Sequence, residues 1–425
     1  MICAMNLTTT HPVDWLLENA HSFSSAGRML GNLVGRLNQD NVGLMRVNIY
    51  TETLHPQVAS ILTVWRRGSG FVETSASAKV VSKQEFALGE GIVKEIQLGH
   101  RSSINPAFKA SPLYQVIAQG ESEIHARFDS AGDESHAFPI YADFVNDGAT
   151  AYFACELRLA NGKRGCISWL TDKPSGFTKP EIELLRKLAN PIGIIVDVHS
   201  AQHITRTLLN TYLGRGPGEL VMAGNIKQGD IRRLRAAIWF SDLRGFTKRS
   251  IDMPPEALVD LLNKYFSAVG HAIYAENGEI LKFIGDAVLA IFPVAEAGSP
   301  REACQAALRA CCNATAALAE RNSTMKPGDQ LKQGTALHLG EVQYGNIGAD
   351  DRLDFTVIGQ AVNLASRIEG LCSTLNHSVL MSDAFAANVD AVTEPVGVFA
   401  LKGIPEEQAV FGLEDSQLGR HEGDE

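Results

Sequence analysis

The chain has 425 residues, of which 45% are hydrophobic, and a formal net charge of −10. That length exceeds what one hydrophobic core usually supports, so two domains are expected, and the composition excludes a wholly disordered or fibrous chain. The acidic balance argues against nucleic acid or an anionic membrane as partner and favours a small anionic substrate held in a local basic groove.

In the first half, Trp15, Leu16, Leu17, Met29, Leu30, Leu33 and Val34 read as one apolar helical face. Residues 43–50 alternate apolar and polar side chains, and residues 59–65 precede a turn at Gly68-Ser-Gly70, so both read as strands. Residues 150–157 and 165–170 pair as a hairpin across Ala160-Asn-Gly162. Thr178 is the expected N-cap of a helix that opens with Pro180 and Glu181 and continues at helical spacing through Ile195 and Val198 towards Leu208 and Leu209. Trp65, Trp169, Phe153 and Tyr152 are expected in the core rather than around a cofactor. The order helix, strands, hairpin, long exit helix resembles GAF-type sensory domains, and that resemblance implies an antiparallel-sheet regulatory domain over residues 1–200, open to a small ligand or protein not identified by the sequence. A helical and glycine-rich linker is expected over residues 201–230, around Gly214-Arg-Gly-Pro-Gly218.

In the second half, Asp242 ends the apolar run 236–240 and Asp286 ends the run 279–284, each with a glycine close by, Gly245 and Gly285, that permits close approach of phosphate. Carboxylates are hard ligands, and two of them on adjacent strand ends suit a pair of divalent cations and a nucleotide-processing enzyme. A helix follows from Pro254, with Leu258, Leu261, Leu262, Tyr265, Phe266, Val269 and Ile273 on its core face until Asn277-Gly278 stops it. Residues 280–284 and 287–292 form a hairpin about Gly285-Asp286, and an alanine-rich helix covers residues 301–321. Residues 335–339 read as one strand ending at Gly340-Glu341 and residues 342–347 as a second. Residues 355–358 lead through Gly359 into a helix over 361–369, where Asn363 and Arg367 share one face. This order, with a late segment at 398–405, resembles a ferredoxin-like palm with additions, and the fold class expected for the chain is α+β. The tail, residues 416–425, is expected to be disordered.

Seven scattered cysteines form no metal-binding spacing and read as reduced, mostly buried thiols. His338 and His377 read as structural or exposed. No apolar run reaches the ~18–20 residues of a membrane span, and the first residues show no basic-then-apolar leader, so a cytoplasmic protein is expected.

Five motifs in order, Phe240-x-Asp242-x-x-Gly-Phe-Thr247, Lys282-x-x-Gly-Asp286, Gly340-Glu-Val-x-x-Gly-Asn-Ile-Gly348, Thr356-Val-Ile-Gly-x-x-Val-Asn363-x-Ala-Ser-Arg367 and Leu401-Lys-Gly403, resemble the class III nucleotidyl cyclase catalytic domain over residues 231–415. The resemblance implies that Asp242, Asp286 and the carbonyl of Leu243 hold two Mg²⁺ or Mn²⁺, and that Phe246 and Thr247 offer backbone N–H groups to phosphate. It implies that Arg367 stabilises charge developing on the α-phosphate, that Asn363 positions the ribose and that Lys402 binds pyrophosphate. Lys282, where guanylate cyclases carry an acid, matches the N1 acceptor of adenine, and Thr356 places the chain in a Thr-containing subset. ATP is the expected substrate and 3′,5′-cyclic AMP the product, in a homodimer whose sites each draw on both subunits. Gln360 and Glu341 depart from the commoner pattern and bear on phosphate affinity. A guanylate cyclase, or a catalytically silent nucleotide-binding module, is the alternative.

Overall fold

The computed structural model describes residues 10–53, 58–68, 80–99, 106–128, 134–159, 162–326 and 329–413. The tail, Cys3, and Gly70 and Asn161 of the expected turns lie outside the described residues. The chain divides into two compact units, residues 1–208 and 209–425.

The first unit opens with helices α1 (Pro12–Asn19) and α2 (Ala26–Gln39). The single helical face expected here is interrupted: a 3₁₀ turn covers Ala20–Ser22, and Ser25 restarts the chain by accepting a hydrogen bond from the Arg28 N–H. Strands β1 (Leu44–Glu52), β2 (Ser60–Arg67), β3 (Val80–Leu88) and β4 (Gly91–Leu98) precede the short helices α3 (Pro106–Lys109) and α4 (Pro112–Tyr114). Then come β5 (Glu123–Arg127), α5 (Pro139–Asn146), β6 (Ala151–Arg158), β7 (Arg164–Thr171) and the 35-residue helix α6 (Lys179–Leu213). The strands form one antiparallel sheet in the order β3-β4-β2-β1-β7-β6-β5. One face packs Trp65, Phe153 and Trp169 against α1, α2 and α6; the other packs Tyr152 with Tyr141, Phe144 and Val116. Thr178 begins α6 as expected: its N–H donates to the Glu181 carboxylate at 2.8 Å while its Oγ1 accepts from the Glu181 N–H at 3.5 Å, a reciprocal cap.

The second unit begins within α6 and continues with α7 (Arg215–Met222), so part of the glycine-rich segment is helical. Strand β8 (Ile231–Leu243) is followed by α8 (Phe246–Asp252), α9 (Pro255–Ala275), β9 (Glu279–Ile284), β10 (Ala287–Pro293), α10 (Val294–Ala297) and α11 (Pro300–Asn322). Next are β11 (Gln333–Ala349), β12 (Arg352–Ile358), α12 (Gln360–Thr374), β13 (Val379–Ser382), α13 (Asp383–Ala386), β14 (Thr393–Phe399) and β15 (Gln408–Leu413). The sheet order is β14-β15-β13-β11-β8-β10-β9, with β12 paired to β11. Its β11-β8-β10-β9 part, all antiparallel and with α9 and α11 as the connecting helices, is the ferredoxin-like arrangement expected.

Alternation along β8 decides which layer goes where. Ala237 and Trp239 face the core under α9 and α11, together with Tyr265, Val269 and Phe292, while Ala236 and Ile238 face α12 and the β11–β12 arm, together with Tyr344, Phe355 and Ala365. Truncating a residue as enclosed as Trp239 would cost about 3–5 kcal/mol. The two strands expected over residues 335–347 are one continuous strand, β11. Its register with β8 runs unbroken from Gln333–Leu243 to Gly345–Ile231, so a partner on one side carries it straight past Gly340. At Gly345 a Cβ would stand 2.0 Å from the Asp230 carbonyl oxygen, which is why a glycine ends that pairing.

The described cysteines are free thiols, all buried except the half-buried Cys312. His338 is buried, its Nδ1 lies 2.7 Å from the Ser382 Oγ, and burial pushes its pKa down to about 4, a structural histidine as expected. Among the described residues no helix is long and apolar enough to cross a membrane.

Candidate active site

Asp242 is the penultimate residue of β8, a strand clamped on both edges, with Gly334 of β11 opposite it and Ser241 opposite Val288 of β10. Asp286 sits in the two-residue β9–β10 turn, whose flanking residues Ile284 and Ala287 pair; Gly285 takes φ +66°, a left-handed conformation that glycine adopts without strain. The turn thereby presents Asp286 to the end of β8. Burial, then the hydrogen bond and charge of Asp242, push Asp286 up to about 7, and the N–H groups of Asp286 and Leu243 offset only part of this. The Leu243 N–H also donates to Asp242 Oδ1 at 2.9 Å.

Beneath the acids, Ser241 Oγ accepts from Trp239 Nε1 at 2.9 Å and lies 3.2 Å from the Tyr265 hydroxyl. These buried groups fix the floor of the site. Two carboxylates brought together at neighbouring strand ends form an oxygen-only donor set that fits a hard divalent metal. Among the described residues no third histidine, cysteine or acid joins them as a metal cluster.

Helix α8 starts directly after the strand end. Gly245 takes φ +74° at its N-cap, which puts Phe246 and Thr247 at its first two positions, where backbone N–H groups have no partner inside the helix. Phe246 packs on the core and Thr247 is exposed. Arg249 anchors this helix through the carbonyls of Asp329 at 3.1 Å and Gln330 at 2.6 Å.

A second group of residues gathers on β9 and β12. Tyr344 donates its hydroxyl to Glu279 Oε1 at 2.5 Å and meets Phe355 edge-on, so the β11–β12 arm is fastened to β9. On that strand the Lys282 ammonium forms an ion pair with Asp354. Asp354 and Thr356 are two apart on β12 and share the face opposite to the buried Phe355 and Val357, which brings Thr356 to the same side as the Lys282 partner. Lys282 and Asp354 are both largely exposed, so their pairing is worth about 0–1 kcal/mol and yields readily to a ligand.

The third group lies on α12 and beyond. Asn363 and Arg367 are exposed on one face of the helix, while Ala361, Leu364, Ala365 and Ile368 are buried on the other. Lys402 is exposed in the turn before β15. Sequence reasoning missed Glu369 and Arg244. Glu369 is on the inward side of α12, its Oε1 2.9 Å from where a Cβ on Gly334 would stand, and burial followed by the charge of Asp242 pushes it up to about 7 against the opposing pull of Arg244. Arg244 Nη2 donates to the carbonyls of Cys372, at 2.9 Å, and His377, tying the end of α12 to the strand that bears Asp242. Asp354 was missed as well, since only the folding of the arm onto β9 places it beside Lys282.

The chain is 28% identical over 246 residues to adenylate cyclase 1 of Rhizobium meliloti (strain 1021), an alignment covering 56% of this chain and 36% of that protein. It is 33% identical over 198 residues to an adenylate cyclase of Anabaena cylindrica, covering 45% and 37%. The chain thus spans a little over a third of the length of these curated relatives. Among solved structures it is similar to the adenylyl cyclase CyaB from P. aeruginosa, with 28% identity, 44% of this chain and 96% of that chain covered, and a TM-score of 0.38. Residues 232–414, less than half of the chain, match the family described as adenylate and guanylate cyclase catalytic domain.

Proposed function

We propose that the protein is a cytoplasmic adenylate cyclase that converts ATP into 3′,5′-cyclic AMP and pyrophosphate, with its first unit acting as a GAF-like regulatory domain. The observation that carries this reading is the apposition of Asp242 and Asp286 at the ends of two neighbouring strands. Two Mg²⁺ or Mn²⁺ held there, with the Leu243 carbonyl as a further ligand, would acidify the ribose 3′-hydroxyl and neutralise the triphosphate. The protein's own groups do the rest. The N–H groups of Phe246 and Thr247 hold phosphate oxygens. Asn363 orients the ribose so that its 3′-oxygen lies in line with the α-phosphate. Arg367 donates to that phosphate as negative charge grows in the transition state, a contribution of about 3–4 kcal/mol in comparable sites. Lys402 keeps the departing pyrophosphate.

Lys282 leaves Asp354 to donate to adenine N1, and the Thr356 hydroxyl accepts from the adenine amino group; guanine, with a donor at N1, would oppose the ammonium. Asn363 and Arg367 stand on an exposed helix face, which supports a homodimer in which one protomer's acids meet the partner's lysine, asparagine and arginine. The seven-stranded antiparallel sheet of the first unit, ending in the long helix α6, supports the regulatory assignment.

The test mixes two inactive chains. Asp286→Ala and Arg367→Ala are each expected to lose cyclase activity with ATP and Mn²⁺, whereas their mixture regains about a quarter of the wild-type rate, because half of the dimers then hold one intact site. Recovery of nothing would sink the shared-site reading, and a GTP rate above the ATP rate would sink the base assignment.

A further inference from the structure

The two faces of the first unit's sheet are not alike. Val47, Ile49, Trp65 and Trp169 fill one of them with apolar side chains. On the other, β1 presents Arg46 and Asn48, and β7 presents Ser168 directly opposite Asn48. Arg46 is 9% exposed, Asn48 5% and Ser168 1%. They form a chain of hydrogen bonds: Arg46 Nε donates to Asn48 Oδ1 at 3.0 Å, and Asn48 Nδ2 donates to Ser168 Oγ at 2.9 Å. The Tyr152 hydroxyl stands beside Ser168 without closing a hydrogen bond of normal geometry. The Tyr152 ring stacks on that of Phe144 from α5, with centroids 5.9 Å apart, and Phe144 carries the Arg46 guanidinium 5.2 Å from its own ring centre.

Several of these groups lack a partner. Beyond its Nε bond, Arg46 makes no hydrogen bond or ion pair among the described residues, which leaves both Nη amines unmatched. The buried hydroxyls of Tyr152 and Tyr141 have none either. A guanidinium keeps its charge at every physiological pH, yet burial, and then the charge of Arg66, pull the Arg46 pKa down. Neighbouring cations are better served. Arg66, opposite Arg46 on β2, pairs with Asp147 at 2.8 Å, and Lys94 of β4 pairs with Glu85 at 3.0 Å. Of these three cations Arg46 is the one without an acid at pairing distance. An arginine that serves only the fold spends its amines on protein oxygens, as Arg244 does on the carbonyls of Cys372 and His377.

We propose that this face of the first unit binds a small organic monocarboxylate, its carboxylate held by the Nη amines of Arg46 with the Tyr152 hydroxyl as a further donor, and its body against Phe144. The planar fork of a guanidinium matches a carboxylate through two parallel hydrogen bonds, and Asn48 fixes the fork by taking its Nε. One unmatched cation balances one negative charge. A phosphate monoester, with about −1.5 to −2 at neutral pH, would carry an uncompensated charge into a buried place. The aromatic wall of Phe144 and Tyr152 favours an apolar body over a bare inorganic anion. That such binding changes cyclase turnover rests on the regulatory reading of the first unit.

The test titrates the full chain with acetate, butyrate and benzoate, reads binding by saturation-transfer NMR of the probe, and adds inorganic phosphate as competitor. The expected result is saturable binding of at least one carboxylate with a dissociation constant of about 1 mM or below, undisturbed by an equal concentration of phosphate. Arg46→Gln should weaken it by about tenfold or more. Tyr152→Phe guards against a variant that fails to fold, because it removes a hydroxyl without a protein partner and keeps the stacked ring. It should leave the unfolding midpoint in place and weaken binding by about threefold or more. No saturable binding of any probe, affinity unchanged in either variant, or displacement by equimolar phosphate overturns the proposal. Turnover of ATP with Mn²⁺ in the same samples separates the two readings: carboxylate binding that leaves the rate unchanged refutes the regulatory reading alone, and a rate that responds equally in wild type and Arg46→Gln refutes the site alone.

Discussion

Replacing Asp286 by asparagine is expected to make the apoprotein more stable while removing its activity. In the folded chain the Asp286 carboxyl is pushed from 3.8 to about 7, first by burial and then by Asp242. The sign follows from proton linkage. Below pH 4 the carboxyl is protonated in both folded and unfolded chains and costs nothing. Between pH 4 and 7 the unfolded chain releases the proton that the folded chain retains, so stability falls as pH rises, and above pH 7 the full cost of holding two charged acids together is in place. At 1.36 kcal/mol per tenfold this cost is about 4 kcal/mol, and solvent screening of a half-buried carboxyl reduces it to about 1–2 kcal/mol. Asparagine keeps the shape and removes the repulsion. The assay is urea unfolding of wild-type and Asp286→Asn chains at pH 4 and pH 8 without divalent metal, read as the shift in the transition of the cyclase unit. The mutant is expected to gain that 1–2 kcal/mol at pH 8 and nothing at pH 4, while cyclase turnover with Mn²⁺ falls by about 10³-fold or more. Equal stability at pH 8, or a gain that is the same at both pH values, would refute the cost assigned to a charged Asp286 buried beside Asp242.

Lys282→Glu should move the ratio of ATP to GTP turnover towards GTP by about tenfold or more, since an acid accepts from the guanine N1–H; paired assays with both nucleotides measure it. Asp354→Ala removes only an exposed partner of Lys282, so the unfolding midpoint should stay within about 1 kcal/mol of wild type, and a larger loss would show that the pair holds the arm in place. Ser241→Ala leaves the Trp239 N–H and the Tyr265 hydroxyl without this partner beneath the acids and should cost about 1–3 kcal/mol in a denaturation curve, with a stability unchanged from wild type removing the polar floor from the account.

The parts of the fold that were legible are those whose periodicity is local. The Gly285-Asp286 hairpin, helices α9 and α11 and the Asn363–Arg367 face follow from alternation, caps and 3.6-residue spacing. Ser299 shows the mechanism in α11, its Oγ accepting from the Glu302 N–H just before Pro300. Strand β3 was passed over because residues 82–88 are mostly polar and exposed, so no buried face wrote an alternation into the sequence. The break between α1 and α2 was hidden by apolar residues that keep helical phase across it. Gly340 read as a turn, yet β8 on one side pairs β11 through it. The nearness of Lys282 to Asp354, and of Glu369 and Arg244 to Asp242, joins residues far apart in the chain and has no local signature.

Strand β11 has a mechanical consequence. One uninterrupted backbone runs from Gly334, opposite Asp242, to Gly345, opposite Thr356, and continues into the arm pinned to β9 by Tyr344. A beam of this kind has no joint between the end beside Asp242 and the end beside Thr356. In the proposed homodimer, opening or closing of the cleft is therefore expected to proceed by rigid displacement of one whole second unit against its twin, with the interior of each left unchanged.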